Sequence, residues 1–140
     1  MAQAADRTGF TLIEVMVALV IVAITATYAF ASYRRYVLRS YRLEAVAGLL
    51  TVAAAQEKFY LAHGHYSDNL AGLRIPSVTP RRRYALTIEL ADAGAFRILA
   101  MPVEDGGQTD DMDCRQFSID ESGRRQARDG AGDDSTNRCW

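Results

Sequence analysis

The sequence predicts an α+β fold: one long N-terminal helix, apolar in its first half and amphipathic in its second, packed on a small antiparallel β-sheet head. Three observations predict it. Residues 10–31 form an apolar run interrupted by one carboxylate, Glu14; residues 32–63 contain no proline and are rich in Ala, Leu, Glu and Arg; and alternation of apolar and polar residues begins only at Tyr84. The expected organisation is a leader at 1–9, a helix over 10–63 whose residues 10–31 cross a membrane, and a head over 64–140.

The apolar run is long enough to cross about 30 Å of hydrocarbon as a helix. An ionisable side chain in such a span costs about 2.5–3.5 kcal/mol on insertion scales, so Glu14 calls for a partner. Removal of the leader at Gly9 would place a new α-amine on Phe10, four residues before Glu14. In a bundle of such helices, one chain's amine pairs with the next chain's carboxylate. A secretory signal is the competing explanation, with Ala29-Phe30-Ala31 before Ser32 as its cleavage pattern. Its apolar region is normally about 7–15 residues and carries no carboxylate. A plain single-span anchor explains the length and leaves Glu14 unpaired.

Helical character continues from Ser32 to His63 and ends near Gly64. At 100° per residue Val37, Tyr41, Ala45, Gly48, Val52, Gln56 and Phe59 share one face. Arg39, Leu43, Val46, Leu50, Ala54 and Leu61 share another, with Glu57 among them. A solvent-facing helix needs one apolar stripe, and this one has two. One stripe suits the chain's own head; the second calls for another protein.

In the head, residues 64–70 form a turn and loop, and Pro76 and Pro80 keep the following stretch irregular. Strands are expected at 84–90, 95–101 and 115–120, the first two joined as a hairpin by the short 91–94 link. Residues 122–138, rich in Asp, Arg and Gly, are expected to be a loop. Cys114 and Cys139 are the two cysteines, and a late pair in an exported domain forms a disulfide that clips this loop to the third strand. Two free buried thiols are the alternative. Zinc is disfavoured because His63 and His65 lack ligand spacing.

Gly9-Phe10-Thr11-Leu12-Ile13-Glu14 followed by an apolar helix resembles the class III signal of type IV pilins and their pseudopilin relatives. That resemblance implies the ladle fold of pilins, cleavage between Gly9 and Phe10 by a prepilin peptidase, N-methylation of Phe10 by the same enzyme, and an assembly role for Glu14. Residues 56–67 and Cys139-Trp140 resemble PilE-type minor pilins, in whose superfamily a disulfide at this position delimits a surface region. The implied partners are other pilins in a filament, the peptidase/methyltransferase, an inner-membrane assembly platform and the inner membrane before assembly. The implied location is a single-pass inner-membrane precursor with a periplasmic head, then an extracellular pilus of a Gram-negative bacterium serving adhesion, twitching motility or DNA uptake. The alternatives are a type II secretion pseudopilin and a DNA- or surface-binding pilin adhesin. Two features depart from the pattern. No proline occurs before Pro76, where many major pilins break the helix. Arg34, Arg35, Arg39 and Arg42 follow the span against Arg7 before it, a count that by itself would put the head in the cytoplasm; the motif and the cysteine pair argue the other way.

No catalytic set is present: no Gly-rich phosphate loop, no nucleophile beside a base, no His/carboxylate cluster with ligand spacing. The chain is therefore expected not to be an enzyme and to carry no cofactor and no metal. Glu104, Asp105, Asp110, Asp111 and Asp113 form an acidic loop that fits no defined calcium motif, and a solvated turn explains it better. Arg81, Arg82 and Arg83 with Arg124, Arg125 and Arg128 are a candidate basic patch for DNA. Neighbouring aspartates dilute it, and a net charge of −1 over 140 residues gives no global pull toward nucleic acid.

Overall fold

The computed structural model describes residues 9–92 and 94–140, with the backbone alone at 31 and 92. Apart from Gly9, the expected leader lies outside the described residues. Helix α1 (Leu12–His63) is followed by β1 (Tyr84–Asp92), β2 (Ala95–Pro102), a 3-10 turn (Glu104–Gly106), β3 (Gln116–Asp120), β4 (Arg125–Arg128) and a short α2 (Thr136–Cys139). The four strands form one antiparallel sheet in the order β1-β2-β3-β4. The α+β class with a long N-terminal helix is as expected. The chain divides into two compact units, Met1–Val37 and Leu38–Trp140.

In the first unit every described side chain from Phe10 to Tyr36 is exposed. This part of α1 is long and apolar enough to cross a membrane. Two of its hydroxyls are satisfied within the helix: Thr25 Oγ1 donates to the carbonyls of Ile21 (2.9 Å) and Val22 (3.0 Å), and Thr27 Oγ1 to that of Ile24 (2.7 Å). A polar group with no water to turn to must find such a partner, and a backbone carbonyl one turn back is the nearest.

The second unit has a packed core. Ala45, Leu49 and Val52 of α1 meet Tyr84, Leu86, Phe96, Ile98, Ala100, Phe117, Ile119 and Ala127 of the sheet. The strand register explains the sheet side: Leu86 pairs with Ala100, Ala100 with Phe117 and Phe117 with Ala127, so one apolar row crosses all four strands. Each large aliphatic side chain buried here stabilises by about 1.5–3 kcal/mol. The predicted inner stripe is widened by Leu49 and Arg42, both buried on it. The second stripe is uncovered at Leu43, Leu50, Ala54 and Leu61. Gly64 ends α1 in the left-handed region (φ 75°), where its amide bonds the Tyr60 carbonyl, a stop that a side chain would strain.

One expectation is corrected. Residues 122–138 are not a plain loop, because β4 and α2 both lie in them. Arg125-Gln126-Ala127-Arg128 has one apolar residue and no strand signature. Pairing makes it a strand: Ala127 sits opposite Phe117 on one side. On the other side its amide donates to Thr136 Oγ1 (2.9 Å), and its carbonyl accepts from the Ser135 amide (2.9 Å). Tertiary context outweighs propensity here.

Candidate functional site

The N-terminal turn of α1 is built by its first polar residues. Gly9, Phe10 and Thr11 precede the helix, and Phe10 is 83% exposed. The Thr11 carbonyl accepts from the amides of Glu14 (3.1 Å) and Val15 (3.2 Å), while the Glu14 amide also reaches Thr11 Oγ1 at 3.4 Å. Thr11-Leu12-Ile13-Glu14 therefore has the spacing of a capping box, a signal legible in the sequence and absent from the expectations above. A carboxylate in the first turn gains about 0.3–1 kcal/mol from the helix dipole. That is less than the roughly 2.5–3.5 kcal/mol a charge costs deep in hydrocarbon. Glu14 has no cationic partner among the described residues. Its carboxylate is exposed and, among the described residues, unmatched by a cation.

In the second unit α1 is tied to the head by polar clamps that no periodicity reveals. Arg42 grips Asp111 with two bonds of 2.7 Å, Nε to Oδ2 and Nη2 to Oδ1, and both side chains are buried. Gln108 Nε2 donates to Asp111 Oδ2 (3.1 Å) and to the Leu38 carbonyl (2.9 Å). Burial, followed by the nearby charge of Asp111, pushes the Tyr84 hydroxyl well above the usual tyrosine range. Further along, buried Gln56 donates to the Ser67 carbonyl (2.8 Å) and accepts the Ser67 amide (2.9 Å), which fixes the loop after the helix.

The candidate calcium loop is dispersed by these contacts. Asp111 is consumed by Arg42, and Asp113 faces Arg138 (3.6 Å) and Arg42 (3.8 Å). Glu104 and Asp105 lie in the 3-10 turn. Gly106 passes so close to Arg82 and Arg83 that an added Cβ would lie 2.9 Å from the Arg82 carbonyl oxygen. Among the described residues no three His, Cys, Asp or Glu side chains converge as a metal site would need. The Asp111 expectation of a solvated turn is corrected: its carboxylate is a buried structural anchor.

The candidate basic patch is two separate groups. Arg83 turns inward, its guanidinium 3.3 Å from the Tyr41 ring centre and bonded to the Gly106 carbonyl (3.1 Å). Arg81 and Arg82 stay exposed before β1. Arg125 and Arg128 lie on β4, three strand spacings away or about 14 Å. There Arg128 bonds the Gly132 carbonyl and Arg125 lies 5.3 Å from the Trp140 ring. Trp140 is held by its indole N–H, which donates to the Gln126 carbonyl (2.8 Å). Cys114 and Cys139 are joined, with Cα atoms 5.8 Å apart, and the bridge anchors α2 beside β3 and β4.

Comparison with known proteins places these features. Residues 31–118 match the family described as type IV minor pilin ComP, DNA uptake sequence receptor. Residues 5–30 match the prokaryotic N-terminal methylation motif. A type IV major pilin protein PilE1 of Neisseria gonorrhoeae is 33% identical over 85 residues, 60% of this chain and 40% of that protein. A fimbrial protein of Neisseria meningitidis serogroup A is 32% identical over 83 residues, 59% of this chain and 49% of its own length. The chain thus spans about half the length of the curated relatives it matches. Among solved structures, the non-core minor pilin PilV of Neisseria meningitidis superposes with a TM-score of 0.54 at 18% identity, covering 67% of this chain and 89% of PilV, a likeness of fold.

Proposed function

Since the chain belongs to the type IV minor pilin family, we propose that it is a structural subunit of a type IV pilus, held in the inner membrane with its head in the periplasm until it enters the filament. Family and fold are those of structural proteins rather than of enzymes. The observation that carries the reading is the bare apolar half of α1, which lies within the matched methylation motif and presents one carboxylate, Glu14, without a cationic partner among the described residues. In this scheme a prepilin peptidase cuts between Gly9 and Phe10 and the new amine of Phe10 is methylated. The membrane helices then stack in the filament core, and Glu14 meets the neighbouring subunit's amine. The pair acts mainly by forbidding registers that would leave a buried charge alone.

The test is the mass of the N-terminal peptide from protein taken out of its native membrane. A peptide beginning at methylated Phe10 supports the pathway. A start at Ser32 would mark a secreted domain and remove Glu14 from the mature chain.

A second role, capture of duplex DNA, is favoured by the matched family's description as a DNA uptake sequence receptor and by one surface. Arg124 and Arg125 are exposed at the start of β4, and Arg125 lies over the Trp140 ring. Binding through phosphates would weaken with salt with a slope of about −0.9 per neutralised phosphate. Arg124→Ala and Arg125→Ala should each lower that slope by about 1. A salt-independent or absent interaction would dismiss this role.

A further inference from the structure

The chain's two histidines, His63 and His65, stand on either side of Gly64, the residue that stops α1. Spacing along the chain argues against them as metal ligands, but the fold brings their rings together. Gly64, in the left-handed region, turns the backbone at the helix end. The two exposed rings then lie with their centres 6.1 Å apart. Phe59 sits against both: its ring stacks on His63 at 4.0 Å and meets His65 edge-on at 5.5 Å.

The hydrogen bonds of the two rings also fix their tautomers. His63 Nδ1 lies 3.0 Å from the Phe59 carbonyl oxygen, and His65 Nδ1 lies 3.0 Å from that of Tyr66. A carbonyl oxygen only accepts, so in each neutral ring Nδ1 carries the hydrogen and donates it. The lone pair of each ring is then left on Nε2. An imidazole held through Nδ1–H to a backbone carbonyl, with Nε2 open, is the arrangement of a metal-ligating histidine. The separation of the rings fits as well. A Zn–N bond of about 2.0–2.1 Å puts each ring centre about 3.2 Å from the ion, so two ligating rings have centres about 5.2 Å apart at a tetrahedral angle and about 6.4 Å apart in line. The observed 6.1 Å lies inside that range.

We propose that His63 and His65 bind one divalent transition-metal ion, of the zinc or copper class, through their Nε2 atoms. Imidazole nitrogen suits these ions, and copper(II) should bind more tightly than zinc at the same pair. Calcium and magnesium are a poor match, because they need oxygen ligands. Lys58 and Arg74, and no acidic residue, line the cleft that Phe59 and His63 share. Such a setting offers nothing to an ion held by carboxylates. No group of three or more His, Cys, Asp and Glu side chains forms here among the described residues. The ion therefore keeps open positions for water or for a donor from another molecule, an exchangeable site rather than a closed structural one. The site lies wholly within the second unit and does not depend on the pilus-subunit reading.

The experiment titrates the full, untagged, nitrogen-labelled chain in detergent with zinc chloride at neutral pH while the imidazole nitrogens are followed by NMR. The chain has two histidines, so each ring is assigned by the substitution that removes its signals. The expected result is that both Nε2 signals move together and saturate at one zinc per chain, while both Nδ1 atoms keep their hydrogens. Calcium and magnesium should move neither ring. His63→Gln and His65→Gln should each weaken zinc binding at least about tenfold, since even an outer-shell partner of a metal ligand is worth about 10–100-fold in affinity. Both side chains are exposed, and an unchanged metal-free melting temperature shows that the variants fold. Movement of one ring without the other, a shift at Nδ1 in place of Nε2, zinc binding that either substitution leaves intact, or no saturable shift with zinc in excess overturns the site.

Discussion

From Leu12 to Tyr36 α1 buries no described side chain, whereas between Arg42 and Gln56 the same helix buries Ala45, Leu49, Val52 and two polar side chains. The backbone is equally helical in both stretches, so hydrogen bonding along the helix does not separate them. What differs is who supplies the cover. The second unit covers one stripe with its own sheet and locks the seam with Arg42, Asp111 and Gln56. The first leaves its whole surface to lipid or to neighbours. A helix built this way ties the folding of the head to its second half, and substitutions should sort accordingly.

The largest effect expected is on the buried ion pair. Asp111→Ala leaves the buried Arg42 guanidinium with only the exposed Asp113 carboxylate, 3.8 Å away, as counter-charge and should cost about 3–5 kcal/mol of head stability in a denaturant titration. A loss below about 1 kcal/mol would mean that water replaces the aspartate and that the clamp does not hold the head.

A matched pair of substitutions sharpens the contrast directly. Leu49→Ala opens a cavity in the core and should cost about 2–5 kcal/mol. Leu19→Ala, the same chemical change in the bare half, should leave the head's unfolding within about 0.5 kcal/mol of wild type. Similar losses at the two positions would break the division of labour.

Removing the bridge is next. Cys139→Ser frees a link spanning 25 residues and should lower head stability by about 3 kcal/mol in the chain-entropy model. Amide exchange should rise first in α2 and β4, which the bridge anchors; a rise confined to α1 would contradict that assignment.

The smallest effect is a pH dependence at the β3–β4 turn. Burial raises the Asp120 carboxyl, but the Ser122 hydroxyl and the amides of Arg124 and Ser122 more than offset this, and its pKa falls below the ordinary value. Its contribution is therefore complete above the unfolded carboxylate pKa of about 3.9 and disappears as pH drops through the lower folded value. Asp120→Asn should flatten melting temperature against pH in that acid range and change little at pH 7. An unaltered acid profile would remove Asp120 as a source.

The comparison also marks what a sequence displays. Residues 10–31, Gly64 and the uncovered Leu43–Leu50–Leu61 stripe were legible because each is a local pattern: an unbroken apolar run, a helix stop, a 3.6-residue period. The Arg42–Asp111 clamp was not, since its partners lie 69 residues apart and each looks alone like an ordinary surface charge. β4 was hidden for the same reason, its pairing coming from Phe117 and Ser135 rather than from its own residues. Of the N-terminal turn, the proposed Gly9–Phe10 cleavage junction and Glu14 could be named from the motif, and the Thr11 cap, equally local, was legible as the capping-box spacing Thr11-Leu12-Ile13-Glu14.

The account stands on the claim that Glu14 serves a neighbour rather than its own fold. The direct measurement is the ratio of Glu14→Ala to wild-type chain in sheared filaments, with membrane insertion and the processed N-terminus quantified in the same cells. The expected result is normal insertion, a processed N-terminus and a strongly reduced filament fraction. Equal incorporation of Glu14→Ala, with insertion and processing intact, would contradict the pairing and leave the carboxylate only its place in the first turn of α1.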